Sequence, residues 1–307
     1  MMYGESEPLV SIGVVTFRSS KYIVETLESA KNQSYKNIEL IISDDCSSDN
    51  TIEICHEWIE KNAERFVRTA IITSPINTGI SANCNRVVMS SKGKYLKLIA
   101  GDDTLEPTCV EDLLYEALKR DSDILFSRMR PFGDNVHTGI ISCKNLTNVF
   151  KYLNGRDFLI LLTHINFLPA PCSFIKRDLY EKIGLYNESI PFIEDWPFWV
   201  KALSQGFAIN YLDKITVNYR IHGEAISQKS THISEMFRQS KNKAVQYAYE
   251  TGSKLGFLEK CHYKILWISY FRYSTITRLL ALLNWLNPFT YQYKRIKYKF
   301  NKLLIDE

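Results

Sequence analysis

The sequence lacks most of the features that mark zinc proteins, secreted proteins and membrane-spanning proteins. None of its seven cysteines forms a pair with C-x-x-C spacing, so we expect reduced structural thiols in a cytoplasmic protein, with neither a zinc site nor a disulfide framework. No apolar run reaches the ~18 residues that a transmembrane helix needs. The opening residues MMYGESEPLV lack a basic segment followed by an apolar core, so we expect no signal peptide.

Strong charge is also absent. The formal net charge is +4 over 307 residues, which is too small to indicate a nucleic-acid partner. Hydrophobic residues make up 45% of the chain, the fraction of an ordinary globular protein, and this argues against disorder. The length suits one large domain, alone or with an appendage.

The first half of the chain alternates short strand-like runs, the first of them rich in β-branched residues, with segments of helical periodicity. Four runs predict strands, at 9–16, 38–43, 69–74 and 95–100. Such alternation is typical of an α/β fold in which helices cover both faces of a parallel sheet. Ligands bind beyond the carboxyl ends of the strands in such sheets. The polar turns that follow the first, second and fourth strands are therefore expected to meet at one edge.

The second half has a looser pattern. We expect a strand at 123–126 and a loop from about 127, then helices near 155–168, 177–184 and 195–206. The segment AINYLDKITVNYRIH predicts two strands joined by a turn at Asp213 and Lys214. Beyond about residue 232 the pattern is helical.

Two adjacent carboxylates, Asp102 and Asp103, follow the fourth predicted strand and one glycine. Two hypotheses explain them. Mg²⁺ and Mn²⁺ prefer oxygen ligands and commonly take one or two carboxylates together with substrate phosphates, so the pair suits a shared protein–metal–diphosphate site. Alternatively, the pair caps the next helix, whose N-terminal amide groups favour negative charge. Asp44 and Asp45 pose the same alternatives, with a predicted helix at 51–64 as the one to be capped.

Six segments, in this order and at this spacing, resemble the inverting family 2 glycosyltransferases with the GT-A fold. They are VSIGVVTF (10–17), SAKNQSYKNIELIISDDCSSDNT (29–51), NTGISANCN (77–85), YLKLIAGDD (95–103), IEDWPFWVKAL (193–203) and YRIH (219–222). The resemblance implies a GT-A catalytic domain at 1–232, with a Rossmann-like, mostly parallel central sheet and helices on both faces. Its nucleotide-binding half would be about 1–105 and its acceptor half 106–232. A C-terminal helical region would occupy 233–307.

The resemblance also implies a nucleotide-sugar donor, with UDP favoured, and a Mn²⁺ or Mg²⁺ cofactor. Phe17 would lie against the nucleobase with Val15 beside it, and Asp45 would accept a hydrogen bond from a base imide. Asp102 would contact the ribose and Asp103 the metal. Ring stacking on a base and N–H donation to a carboxylate suit these residue types chemically.

On the acceptor side, the resemblance assigns Asp195 as the catalytic base. Inversion needs a single displacement, so one base must deprotonate the acceptor hydroxyl on the face opposite the leaving nucleotide. Glu194 would orient the acceptor, or it would only cap the helix that begins at Trp196. Arg220 and His222 match a segment near the diphosphate, and His222 is a second candidate metal ligand. The alternative is that His222 is a loop histidine without a role in the site.

Two positions depart from the family pattern. Relatives often carry a basic residue before the asparagine of NxGxxxARN, whereas Cys84 precedes Asn85 here. Arg86 is the candidate substitute for a nucleotide contact, although we expect its side chain to point elsewhere on the helix. Phe17 replaces a common tyrosine, which keeps the stacking surface and removes a hydroxyl group.

These observations favour an enzyme that moves a sugar to a hydroxyl of a glycan or lipid-linked acceptor, in bacterial polysaccharide or cell-envelope biosynthesis. A non-catalytic scaffold with the same fold is the alternative, although the joint presence of Asp45, Asp102, Asp103 and Asp195 argues against lost chemistry. A sugar nucleotidyltransferase is less compatible with the sequence, because SIGVVTFRSSK has a single glycine and no glycine-rich phosphate loop.

The C-terminal residues 257–305 combine aromatic and leucine side chains with many lysines and arginines. One hypothesis is an amphipathic interfacial segment that holds the enzyme peripherally on the cytoplasmic face of the membrane, near lipid-linked acceptors. The other is a helical subdomain that packs on the catalytic domain or joins two copies in a homo-oligomer.

Overall fold

An eight-stranded mixed sheet forms the centre of the computed structural model, which describes residues 7–134, 146–223, 235–252, 261–262, 265 and 287–305. The strands are β1 (Val10–Thr16), β2 (Ile38–Asp44), β3 (Arg68–Thr73), β4 (Tyr95–Ala100), β5 (Thr104–Leu105), β6 (Ile124–Gly133), β7 (Ser173–Lys176) and β8 (Ile209–Ile221). Their order across the sheet is β3-β2-β1-β4-β7-β6-β8-β5.

Helices flank this sheet, and the predicted α/β class is confirmed. The helices are α1 (Ile23–Lys31), α2 (Thr51–Asn62), α3 (Ile80–Ser90), α4 (Cys109–Arg120), α5 (Thr147–Tyr152), α6 (Gly155–His164), α7 (Asp178–Ile183), α8 (Asp195–Ser204), α9 (Glu235–Gly252) and α10 (Pro288–Ile305). The predicted apolar face of α1 is the one that is buried, because Ile23, Leu27 and Ala30 are inaccessible to solvent.

The first four strands form a parallel unit whose carboxyl ends coincide. In this unit β1 pairs with both β2 and β4, and the register aligns Thr16 with Asp44 and Val15 with Ala100. β2 is buried along its whole length, as expected for a parallel strand covered on both faces. The polar turns that follow these strands therefore meet at one edge, as predicted.

The predicted turn at Asp213 and Lys214 is wrong, because β8 continues through both residues as one strand. β8 runs parallel to β6. Phe126 pairs with Tyr211 and Arg128 pairs with Ile215, so between these two pairs more residues lie on β8 than on β6. The polar pair therefore lies in a bulge, where unpaired residues are tolerated. Side-chain contacts hold it there: Arg128 donates to Asp213 at 3.0 Å, and Lys214 pairs with Asp112 at 2.5 Å.

The predicted loop from residue 127 is also wrong in its first part, since β6 extends to Gly133. Beyond Phe126 this strand pairs with β8 only, so Pro131 lies on a strand with one free side, where proline is tolerated. The remainder of the predicted loop, from 135 onwards, lies outside the described residues.

The C-terminal helices pack onto the catalytic domain. α9 contacts α6 and α8, and α10 contacts α5 and α6. The apolar side of α10 is buried through Phe289, Ile296, Phe300 and Leu304, so packing on the domain is the correct hypothesis for this side. The predicted aromatic segment around Trp267 lies outside the described residues. Within the described helices, none combines the length and the hydropathy needed to cross a bilayer.

Helix α3 joins the first half of the chain to the segment 186–191 that precedes α8. Ser81 donates from its amide to the Pro191 carbonyl at 3.2 Å and from its hydroxyl to the Ile190 carbonyl at 2.5 Å. One turn later, Asn85 donates to the Tyr186 carbonyl and accepts from the Tyr186 amide, both at 2.9 Å. These contacts of α3 therefore help to fix the start of α8 relative to the sheet.

Gly79 is a point of close contact between these two parts, and we predict that Gly79→Ala destabilises the fold. Its φ is +89°, and a Cβ would lie 2.6 Å from Pro191 Cβ and 2.7 Å from the Pro191 carbonyl oxygen. Strain and overlap together should lower the free energy of unfolding by more than about 1 kcal/mol. Urea unfolding followed by tryptophan fluorescence measures the change.

Gly155→Ala is the matched control, because a Cβ there meets no atom within 4 Å and the residue begins α6. It should be neutral or slightly stabilising. Equal losses of stability in the two variants would contradict the role given to the Gly79 contact.

Candidate active site

An exposed aromatic ring follows β1 at the carboxyl edge of the sheet. Phe17 is 40% exposed, and the Arg18 guanidinium lies 5.0 Å from its ring centroid. The preceding Val15 is partly buried and pairs with Ala100 of β4. The structure thus brings both predicted nucleobase residues to this edge, with one face of a ring available for stacking.

Asp45 also lies at this edge, but protein donors already occupy its carboxylate. Thr78 donates to Oδ1 from its hydroxyl at 2.6 Å, and Gly79 donates to Oδ2 from its amide at 2.7 Å. Arg86 adds a contact from Nη2 to Oδ1 at 2.7 Å, and Asp45 is only 3% exposed. The carboxylate therefore braces the loop before α3 and does not present an unused oxygen to a base.

The helix-capping hypothesis is wrong for Asp44 and Asp45. Asp44 accepts from the Thr16 hydroxyl at 2.7 Å and from the Ser47 amide at 2.7 Å. The start of α2 is held instead by Asp49, which accepts from the Thr51 hydroxyl at 2.6 Å.

The Arg86 side chain extends from α3 to the sheet edge, where it contacts Asp45. Besides Asp45, it donates to the Thr78 hydroxyl at 2.9 Å and to the Asn83 side chain at 3.1 Å. Cys84, at the position where the family resemblance leads us to expect a basic residue, is buried, and burial raises the pKa of its thiol. The two side chains therefore lie in different environments, and Arg86 does not take the place of the missing basic residue.

The short pairing of β5 with β8 brings the two aspartates next to the predicted Arg220 and His222. This pairing is antiparallel and aligns Thr104 with Asn218. Just before it, Asp103 Oδ1 accepts from the Arg220 amide at 2.8 Å, and the Asp102 carbonyl accepts from Arg220 Nε at 2.7 Å. Capping of α4 is excluded, because α4 begins after Thr108 without a side-chain cap.

The two aspartates differ in exposure. Asp103 is 1% exposed, and its Oδ2 atom is buried without a hydrogen-bond partner. Burial and the neighbouring Asp102 raise the pKa of Asp103 well above its usual range. Asp102 keeps 27% of its side chain exposed, and its Oδ2 lies 2.9 Å from His222 Nε2. Asp102 is thus the more accessible of the two carboxylates, and it lies in contact with the imidazole of His222.

Arg220 is held by aromatic rings and a carboxylate. Its guanidinium lies 4.4 Å from the ring centroids of both Tyr22 and Phe132, and Nη2 pairs with Glu25 at 2.5 Å. The His222 ring also lies against Tyr22, with 4.9 Å between centroids. Arg220 therefore positions the end of β8 and is not directed into open space.

A second pair of carboxylates, Glu194 and Asp195, lies half-buried at the start of α8. Asp195 accepts from the Asn166 side-chain amide at 3.0 Å and from the Trp196 amide at 2.6 Å. Glu194 occupies the N-cap position, but its side chain makes no capping hydrogen bond. Burial raises the pKa of Asp195, and burial together with the charge of Asp195 raises the pKa of Glu194 to about 8.

Two residues near the carboxylates of the site, Asn166 beside Asp195 and Lys97 near Asp103, could not be assigned from the sequence motifs. Asn166 lies in the loop after α6, outside every motif, and only the fold brings it to Asp195. Lys97 is fully buried on β4, where it donates to the carbonyl groups of Pro171 and Ser173. Its position in an apolar run is the one signal that sequence reasoning could have used, since an isolated buried lysine needs oxygen partners.

Potential metal ligands are few in this site. Across the described part of the chain, no three His, Cys, Asp or Glu side chains form a group that could hold a metal ion by themselves. The Asp102–His222 pair supplies two donors at one point. Such a partial set fits a Mg²⁺ or Mn²⁺ ion that takes its remaining ligands from substrate phosphate and water.

Comparisons with known proteins agree on one family. The family model described as "Glycosyl transferase family 2" matches residues 11–184. The UDP-Glc:alpha-D-GlcNAc-diphosphoundecaprenol beta-1,3-glucosyltransferase WfaP of Escherichia coli is 27% identical over 237 residues, which cover 76% of this chain and 84% of that protein. The chondroitin synthase of Pasteurella multocida is 29% identical over 243 residues, which cover 76% of this chain and 22% of that protein.

A solved structure has the same fold. The crystal structure of S. aureus TarS 1-349 in complex with UDP-GlcNAc superposes with a TM-score of 0.62 at 21% identity and covers 85% of this chain and 72% of that one. The expected GT-A architecture is thereby confirmed.

The raised pKa of Glu194 predicts that Glu194→Gln stabilises the protein at alkaline pH. Between the ordinary value of 4.5 and about 8, the folded state holds a proton that the unfolded state has lost, so stability falls as pH rises through this window. Glutamine cannot ionise and removes this loss. Because the pair is half-buried, we expect a gain of roughly 1–3 kcal/mol at pH ~9.

Urea unfolding at pH values of about 4, 7 and 9 measures this gain, which should shrink as pH falls. The control is Glu181→Gln, where the carboxylate forms an exposed pair with Arg177 at 3.3 Å and should contribute little at any pH. A gain for Glu194→Gln that is equal at every pH would contradict the prediction.

Proposed function

The chain belongs to glycosyl transferase family 2, and on this premise we propose that it transfers a sugar from a UDP-sugar to a hydroxyl of a glycan or lipid-linked acceptor, with inversion at the sugar carbon. The observation that carries the proposal is the half-buried Glu194–Asp195 pair at the start of α8. Its raised pKa values suit a group that accepts a proton near neutral pH.

The donor side of the proposal is supported by the exposed ring at the sheet edge and by the relatives. Phe17 offers a face on which a base can stack. WfaP is named for a UDP-Glc donor, and TarS was solved with UDP-GlcNAc. Asp45 is saturated by protein donors, so we assign it and Arg86 to shaping the base pocket through the Thr78 loop.

In the proposed reaction, Asp195 removes the proton from the acceptor hydroxyl. The acceptor oxygen then forms its bond to the sugar carbon while the bond from that carbon to the diphosphate oxygen breaks, and the nucleoside diphosphate leaves with the bond electrons. Asn166 and the Trp196 amide hold the carboxylate oxygens in place, which orients the base before the acceptor arrives.

We propose Asp102 and His222 as the protein ligands of a Mn²⁺ or Mg²⁺ ion, with Asp103 behind them. The family resemblance implied Asp103 as the metal ligand and Asp102 as the ribose contact. We reverse this assignment because Asp102 is partly exposed beside His222, whereas Asp103 is buried and bound by the Arg220 amide. When bound, such an ion would neutralise charge on the departing diphosphate.

The lipid-linked acceptor is proposed from the relatives. WfaP is named for a sugar linked to diphosphoundecaprenol, and the chondroitin synthase makes a polysaccharide by its name. Both acceptor types present a sugar hydroxyl, which is the group that Asp195 would deprotonate. A non-catalytic scaffold with this fold is the competing hypothesis.

We predict that Asp195→Asn abolishes transfer without weakening nucleotide binding. Loss of a general base should lower the rate by at least about 100-fold, while UDP affinity should stay within about twofold because Asp195 is on the acceptor side. Calorimetry with UDP, GDP, dTDP and CDP, each with and without Mn²⁺, measures binding. Release of UDP from UDP-glucose and UDP-GlcNAc in the presence of polyprenyl-diphosphate-linked sugars measures transfer.

Asp178→Asn, a surface change on α7, is the control and should retain full activity. Undiminished transfer by Asp195→Asn would overturn the assignment of the base. Failure of the wild-type protein to bind any of the four nucleotides would favour the scaffold.

The metal assignment predicts that Asp102→Asn removes the effect of Mn²⁺ on UDP binding. In the wild type, Mn²⁺ should tighten UDP binding by about tenfold or more, because a cation shared with the diphosphate adds a charge-assisted contact. His222→Gln should reduce the effect and the surface control Asp178→Asn should leave it intact, both measured by calorimetry. If Mn²⁺ still tightened UDP binding to Asp102→Asn but not to Asp103→Asn, Asp103 would be the metal ligand instead of Asp102.

A further inference from the structure

Exposed basic and aromatic side chains cover the outer side of α10 and the adjoining end of α5. This basic aromatic face comprises Lys151, Tyr152, Tyr291, Lys294, Arg295, Tyr298, Lys299 and Lys302. Tyr291 and Tyr298 are each 73% exposed, and Tyr152 is 49% exposed. Large rings at such exposure in a cluster mark a surface that contacts another molecule.

The packing of α10 fixes this face outward. Phe289, Ile296 and Phe300 lie on the opposite side of the helix and are buried against the domain. Lys299 donates to the Tyr152 carbonyl at 2.6 Å, which ties α10 to α5. The apolar side of α10 is the side that packs on the domain. The basic aromatic face is therefore the solvent-exposed side of the helix.

Charge is segregated onto this face. Residues 146–156 and 287–305 contain seven lysines and arginines, five of which belong to the face, and no aspartate or glutamate, although the whole chain has a net charge of only +4. The remainder of the chain therefore carries an excess of acids. A local basic patch with interspersed tyrosines matches the composition of surfaces that bind anionic lipid head groups, where lysine meets phosphate and tyrosine occupies the interfacial layer.

The basic aromatic face also lies close to the proposed acceptor side. The ring of Phe300, on the buried side of α10, is 5.1 Å from the ring of Phe167. Phe167 directly follows Asn166, whose amide donates to Asp195. Only one layer of side chains separates α10 from the loop that holds the base.

We propose that the basic aromatic face binds the surface of an anionic phospholipid bilayer and so holds Asp195 near acceptors embedded in that bilayer. The lipid-binding step rests on exposure and charge alone. The second part, delivery of a lipid-linked acceptor to Asp195, rests on the proposed function. The contact is peripheral, because the face consists of lysine, arginine and tyrosine side chains and not of an apolar stripe.

Vesicle co-sedimentation with the full chain tests the proposal. Wild-type protein should bind phosphatidylglycerol–phosphatidylcholine vesicles in about 0.1 M NaCl, bind pure phosphatidylcholine vesicles at least about tenfold more weakly, and lose most binding in about 0.5 M NaCl. The triple variant Lys294→Glu, Arg295→Glu, Lys302→Glu should bind the anionic vesicles at least about tenfold more weakly than wild type.

The matched control is the triple variant Lys36→Glu, Lys61→Glu, Lys119→Glu, which changes net charge equally at exposed positions on other elements. It should keep vesicle binding within about twofold. Urea unfolding followed by tryptophan fluorescence verifies the folding of all three proteins, and UDP calorimetry on each keeps a failure of lipid binding separate from a failure of the proposed function. Absence of wild-type binding to anionic vesicles, an equal loss in the control variant, or tighter binding of wild type to single-stranded RNA than to those vesicles would overturn the proposal.

Discussion

The contacts of helix α3 set the spacing between the two halves of the site, and the rest of the chemistry depends on this spacing. At its start, the Thr78 and Gly79 amides are bound by Asp45 at the end of β2. Along its length, Ser81 and Asn85 bind the segment that leads to α8. A displacement reaction requires the acceptor oxygen and the sugar carbon to be aligned within a narrow range. Helix α3 thus links the sheet edge proposed for the nucleotide to the segment that leads to the proposed base.

The distribution of charge at the sheet edge is consistent with the cation proposed there. Asp103 has two nearby cations, Lys97 and Arg220, and yet its pKa is raised. Lys97 is bound to backbone carbonyl groups within the core, and Arg220 is held between two rings and paired with Glu25. Neither cation neutralises the adjacent carboxylates completely. A divalent ion or a proton would complete the balance of charge at this edge.

Much of the fold and part of the site follow from the sequence, because they depend on local periodicity. The parallel strands β1 to β4 are short runs of mostly apolar residues, and their carboxyl ends lie at a common edge, so the positions of Phe17, Asp45 and Asp102 are predictable. The course of β8 is not, because the bulge at Asp213 depends on Arg128 from another strand. The contact of Asn166 with Asp195 is a second example. It joins a loop to a helix 29 positions away, and no local pattern encodes it.

Cys84 on α3 and the two carboxylates at the start of α8, Glu194 and Asp195, lie close enough to interact electrostatically. Cys84 is buried where relatives often carry a basic side chain, and the charges of Glu194 and Asp195 act on it. A cation at this position would lower the pKa values of both acids. A thiol whose own pKa is raised stays neutral and leaves them high. A base with a higher pKa takes a proton more readily, provided that it is still ionised at the working pH. A neutral Cys84 therefore leaves in place the raised pKa values that burial gives to Glu194 and to Asp195, the proposed base.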